Sequence, residues 1–70
     1  MGSAMEVLVN GKAVSLPEAS NLAALVEALS LQGTRVAVEI NRDIVPRSQY
    51  ESTCLKNGDQ VEIVQAIGGG

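Results

Sequence analysis

The stretch Met5-Glu6-Val7-Leu8-Val9-Asn10-Gly11-Lys12-Ala13-Val14-Ser15-Leu16 decides the fold. Two runs of β-forming residues flank Asn10-Gly11. An Asn-Gly pair between apolar runs is the strongest short-range hairpin signal, because both central residues of a type I′ turn need φ > 0. Met5, Val7 and Val9 alternate onto one face, residues 12–16 return, and Pro17-Glu18-Ala19 ends the hairpin.

Working outward, Ser20 or Asn21 is placed to cap a helix by accepting a hydrogen bond from a free backbone N–H. Leu22, Leu25, Val26 and Leu29 then recur at helical spacing, which predicts a helix from 22 to 29 or 31. Ala23, Glu27 and Ala28 are available to turn outward, and Gly33 offers a stop. Val36, Val38 and Ile40 alternate as a third strand. The route from hairpin through helix reads as a crossover, which places this strand parallel to the first. Asn41-Arg42-Asp43 reads as a turn, and Ile44-Val45 as a short edge strand ended by Pro46. Residues 47–56 are less regular: Ser48 is a candidate cap for one helical turn, and Tyr50, Cys54 and Leu55 point inward. Asn57-Gly58-Asp59 is a second tight turn, and residues 60–64 form the last strand with Val61 and Ile63 inward. The order β-β-α-β-β-β predicts an α+β grasp domain, a mixed sheet packed on one main helix.

Composition narrows the function. The chain has 70 residues, one Cys and no His, which leaves no internal disulfide and no Cys/His zinc site. Tyr50 is the only aromatic residue, so the core is aliphatic. Net charge is −3, and the five basic residues are scattered, without the basic stripe or stacking platform of a nucleic-acid binder. No apolar run reaches the ~20 residues that span a membrane. A reduced thiol without a secretion signal points to the cytoplasm. Residues 1–4 read as an expression-tag remnant, 5–66 as the domain and 67–70 as a tail. With no nucleophile–base pair and too little chain for a pocket, a stand-alone enzyme is disfavoured. Glu18, Glu27 and Glu39 read as surface carboxylates.

Past the last strand comes Gln65-Ala66-Ile67-Gly68-Gly69-Gly70. Glycine without a Cβ fits an extended path too narrow for other residues, and its terminal carboxylate is unhindered. A flexible linker end is the other reading of such a run. The segments Val38-Glu39-Ile40-Asn41-Arg42-Asp43-Ile44-Val45-Pro46-Arg47, Leu55-Lys56-Asn57-Gly58-Asp59-Gln60-Val61-Glu62-Ile63-Val64 and Ala66-Ile67-Gly68-Gly69-Gly70, with the opening Val9-Asn10-Gly11-Lys12, weigh against the linker reading. Together they resemble the ThiS family of sulfur carriers of thiamine (thiazole) biosynthesis. That resemblance implies a β-grasp, ubiquitin-like fold and chemistry at Gly70, with Gly68 and Gly69 entering partner active sites. It implies a ThiF-like adenylyltransferase, which uses ATP and magnesium, while this chain binds no cofactor itself. It also implies a cysteine desulfurase as indirect sulfur source and a ThiG-like thiazole synthase as acceptor of a C-terminal thiocarboxylate. Many members carry a small residue such as alanine where Gly68 stands, so this tail costs more to order.

Two alternatives stay open at this point. One is a carrier for another acceptor, like the small subunit of molybdopterin synthase, although those relatives tend to be longer, with aromatic and proline residues before the glycines. The other is a ubiquitin-like module that binds non-covalently or is conjugated to lysines. Leu8 and Val64 fall on the face opposite Val7 and Ile63, and with Ile67 they form a candidate partner patch. Cys54 reads as a small buried hydrophobe, since no His activates it and Lys56 is its one candidate neighbour. Arg42, Asp43 and Arg47 have two readings, a solvated cluster or a docking rim.

Overall fold

The computed structural model describes residues 3–31 and 35–65. Five strands and one helix follow in the order β1 (Ala4–Val9), β2 (Lys12–Pro17), α1 (Leu22–Ala28), β3 (Val36–Ile40), β4 (Asp43–Val45) and β5 (Gln60–Gln65). A single 3-10 turn, Arg47–Gln49, lies between β4 and β5. The strands lie side by side as β2-β1-β5-β3-β4. This is the β-grasp arrangement.

Local chemistry builds each piece. Val9 pairs with Lys12 across a two-residue loop, and Asn10 and Gly11 hold φ of 51° and 84°. Both values suit a type I′ turn, whose twist matches the flanking strands. The same device recurs between β3 and β4, where Ile40 pairs with Asp43 around Asn41 (φ 51°) and Arg42 (φ 73°). Asn21 caps α1, its Oδ1 accepting from the Ala24 N–H at 2.8 Å. Ser20 does not cap; its hydroxyl donates to the Pro17 carbonyl at 2.6 Å.

The helix ends earlier than the glycine signal suggested. Ser30 adopts φ 59°, its N–H meets the Glu27 carbonyl, and the Leu31 N–H reaches back to Val26. That pair of bonds is the Schellman closure, with a serine in the left-handed position that usually holds glycine. Leu31 packs against the core beside it. Gly33 lies outside the described residues. Ser48 caps nothing: it sits inside the 3-10 turn, whose N-cap is Pro46 with no side-chain bond.

Two further expectations change. β1 begins at Ala4 rather than Met5, pairing with Pro17, and the Ser3 carbonyl accepts from the Glu18 N–H. The parallel partner of β1 is β5, not β3. β3 runs antiparallel to β5, and therefore opposite to β1. The last strand fills the slot that the crossover reading assigned to the third. Alternation tells which side of a strand is apolar; it is silent on which neighbour the strand takes.

The core lies between the sheet and α1. Val7, Leu22, Leu25 and Val38 are fully enclosed, with Met5, Val9, Leu16, Val26 and Val61 around them. The irregular segment contributes Tyr50 and Leu55 to this cluster. Cys54 does not join them: it is exposed, forming an isolated bridge to Asn21 while Leu55 turns inward. Among the described residues no polar or charged side chain is buried. The opposite face carries Leu8, Gln60, Glu62, Val64, Ala37, Glu39 and Ile44, by strand alternation and register.

The left-handed serine yields a test. An L-residue in that conformation costs about 1–2 kcal/mol, and glycine recovers part of it. Ser30→Gly is expected to stabilise the domain by about 1 kcal/mol, or roughly 4–8 °C in Tm for a domain of this size. A thermal melt followed by circular dichroism measures it; an unchanged or lowered Tm removes the account of the helix end.

Candidate functional site

The terminal glycines Gly68, Gly69 and Gly70, with Ala66 and Ile67, lie outside the described residues. What the structure does show is the strand that leads to them. β5 is the middle strand of the five, between β1 and β3. Its position comes from its sequence: Val61 and Ile63 face the core, Val61 at 1% exposure, while Gln60, Glu62 and Val64 face out.

Both ends of β5 are fixed by side-chain amides. At the start, the Asn41 Oδ1 accepts from the Gln60 N–H at 3.1 Å, and the Asn41 Nδ2 donates to Asp59 at 3.1 Å. The other Asp59 oxygen accepts from the Lys56 N–H at 2.8 Å, closing the Asn57-Gly58 turn. Asn57 in turn accepts from the Glu6 N–H at 2.9 Å, and the Gly58 N–H donates to the Glu6 carbonyl at 2.7 Å. These contacts tie the turn to β1 before β5 begins.

The far end is less evenly supported. On one side β3 pairs with β5 along its length, up to Val36 opposite Gln65. On the other side the β1 register covers only Leu8–Gln60 and Val9–Val61, because β1 turns away at Asn10. There the Asn10 side chain continues the ladder. Its Oδ1 accepts from the Ile63 N–H at 2.9 Å, and its Nδ2 donates to the Ile63 carbonyl at 3.0 Å. In the sequence Asn10 stands out as a turn former; that an asparagine offers both a donor and an acceptor is the signal for its second role.

The structure does not bring the described members of the candidate partner patch into contact. Leu8 and Val64 share the open face. Leu8 is half-buried opposite Gln60, and Val64 is 61% exposed four residues further along β5. That separation is roughly 13 Å at strand rise, so the two do not touch. Val64 stands instead beside Ala37, and Ile44 opposite Glu39. Ile44, at 74% exposure, is the apolar group on this face that sequence reasoning treated only as part of an edge strand. Glu39 and Glu62 pair directly across the strands, a like-charge contact that opposes the sheet slightly.

The remaining candidates are apart from this strand end. Cys54 lines a surface hollow with Asp43 and Lys56. Arg42, Asp43 and Arg47 are exposed around β4. Among the described residues no cluster of His, Cys, Asp and Glu could hold a metal ion. No helix among them is long and apolar enough to cross a membrane.

Comparison with known proteins agrees with this architecture. The crystal structure of the thiamine biosynthesis protein ThiS from Geobacter metallireducens superposes with a TM-score of 0.80 at 36% identity, covering 94% of this chain and all of that one. The sulfur carrier protein ThiS of Escherichia coli is 33% identical over 66 residues, covering 94% of this chain and 100% of that protein. A thiazole synthase of Paramagnetospirillum magneticum is 38% identical over 66 residues, again 94% of this chain but 20% of its own length. This chain thus spans a fifth of the thiazole synthases it matches. The ThiS family model matches residues 2–70, and the chain belongs to that family.

Proposed function

We propose that this chain is a sulfur carrier of thiamine biosynthesis, with the Gly70 carboxylate as its reacting group. The observation that carries the reading is family membership over residues 2–70, ending in the three glycines to which the central strand leads. A carboxylate is a poor acyl donor, because oxide would have to leave. An E1-like adenylyltransferase joins it to AMP from ATP and magnesium, releasing pyrophosphate, so the acyl carbon then carries a good leaving group. A persulfide sulfur, drawn from cysteine by a desulfurase, attacks that carbon and expels AMP. A thiol opens the resulting S–S bond and leaves a thiocarboxylate on Gly70. Dividing one hard displacement into easier ones is the logic of covalent catalysis. The chain itself is a carrier and not the enzyme: partners supply positioning and electrostatic stabilisation.

The acceptor in this reading is a thiazole synthase. Its support is that a segment similar to this chain occurs within proteins named thiazole synthase. The five residues beyond Gln65 reach ~16–18 Å when extended, enough for Gly68, Gly69 and Gly70 to enter a recessed site while the body docks outside. The open face bearing Leu8, Val64 and Ile44, together with Ile67, is the docking surface in this scheme, and the exposure of Val64 and Ile44 means that the core gives no reason to keep those two apolar.

Two measurements test the proposal. Incubation with ATP, magnesium, an adenylyltransferase of this family's pathway and a persulfide source is expected to add about 16 Da by oxygen-to-sulfur exchange. Removal of Gly69 and Gly70 abolishes the gain and leaves Tm unchanged. An intact wild-type mass under conditions that load another family carrier rejects the reading. For the docking surface, Val64→Glu is expected to weaken association with the adenylyltransferase about tenfold, with stability within ~0.5 kcal/mol of wild type, as for an exposed site. Calorimetric titration that gives equal affinities removes Val64 from the interface.

A further inference from the structure

We infer that Asn10 is a positioning residue: its carboxamide holds the end of β5 and so sets the direction in which the terminal tail leaves the sheet. The inference rests on the carrier reading for its consequence and on the hydrogen bonds for its geometry.

The backbone demand at position 10 is only that φ reach 51°. Asn, Asp and Gly all satisfy this in a type I′ turn. The demand from β5 is narrower. Ile63 presents an N–H and a carbonyl toward position 10, at 2.9 and 3.0 Å from the two ends of one amide. Asn alone of the three turn formers supplies one acceptor and one donor. Asp would set a carboxylate oxygen against the Ile63 carbonyl, and Gly would leave both groups to water. The turn explains why position 10 holds one of three residues; the strand end explains which one.

What depends on this contact is direction. β1 backbone supports β5 only to Val61, while β5 runs on to Gln65. Without the carboxamide, the final residues are held by β3 on one edge alone. A tilt there shifts the point from which the five residues to Gly70 start out, and that point limits where their carboxylate can reach. Misplacement of ~1 Å at a reacting centre can cost about a hundredfold, so the root of the tail is a place where one hydrogen-bonded pair matters.

The test compares Asn10→Asp and Asn10→Gly with Val26→Ala, a core truncation that costs stability and removes no hydrogen bond to β5. Amide exchange at Ile63 is expected to quicken about tenfold in both Asn10 variants, as for a bond or two lost, while Val38 exchange stays at the wild-type rate. In pyrophosphate-release assays with the adenylyltransferase, kcat with the variant carriers falls about tenfold and KM stays within about twofold, the signature of a misplaced reacting group and not of lost docking. Unchanged kcat in both Asn10 variants overturns the inference, as does an equal fall in Val26→Ala. A wild-type chain that releases no pyrophosphate overturns the carrier reading and the kinetic half of the inference with it. Ile63 exchange that is unaltered overturns the positional half on its own.

Discussion

The parallel pairing of β1 with β5 is the contact on which the rest of this structure depends. It joins the hairpin to β3 and β4, and without it the sheet falls into two pieces too small to bury α1. Yet the pairing is short in backbone terms, with two residue pairs in register. Side chains lengthen it. Asn57 and Gly58 meet Glu6 at one end, and Asn10 meets Ile63 at the other. Both asparagines precede glycine in tight turns, so each turn does two jobs, reversing the chain and closing the central ladder. A side-chain amide is suited to this because it repeats the donor and acceptor of the peptide group.

The division of the molecule follows from the sheet having one covered face. Met5, Val7, Val9, Val38 and Val61 meet Leu22, Leu25 and Val26 of α1. The other face needs no such packing, which is why its apolar groups, Ile44 and Val64 above all, have no part in holding the fold. Isolated exposed apolar residues are ordinary on a small domain. Here they share a face with the strand whose end leads to the terminal glycines, and that shared placement is what gives them the docking role proposed above.

Much of this was legible in the sequence, and the exceptions share a cause. Strand and helix positions followed from period and from turn chemistry: Asn10-Gly11, the run Leu22, Leu25, Val26, Leu29, and the alternation of Val36, Val38 and Ile40. These are local signals. Neighbour choice is not local, and the crossover rule assigned β1 the wrong parallel partner. Gly33 signals a helix stop because glycine is the usual left-handed residue, whereas Ser30 takes that role at some cost. The chemistry of Cys54 suggests burial; in an irregular segment no period shows which of two adjacent residues turns inward, and Leu55 does. The second duty of Asn10 was hidden because a strong turn signal already accounted for the residue.

The central strand is also the most distant from its partner along the chain, since it pairs Gln60 with Leu8 and Val61 with Val9. Such separation slows folding, because loop closure must come before the contact that rewards it. The hairpin and the helix rest on contacts close in sequence, which need no long loop closure. Until β5 arrives, β1 and β3 each present an unpaired edge, the kind of surface that recruits other strands. Insertion of β5 closes both edges in one event. The strand that leads to the terminal glycines is thus the piece whose placement joins the two halves of the sheet, and without it the end of the chain has no fixed base.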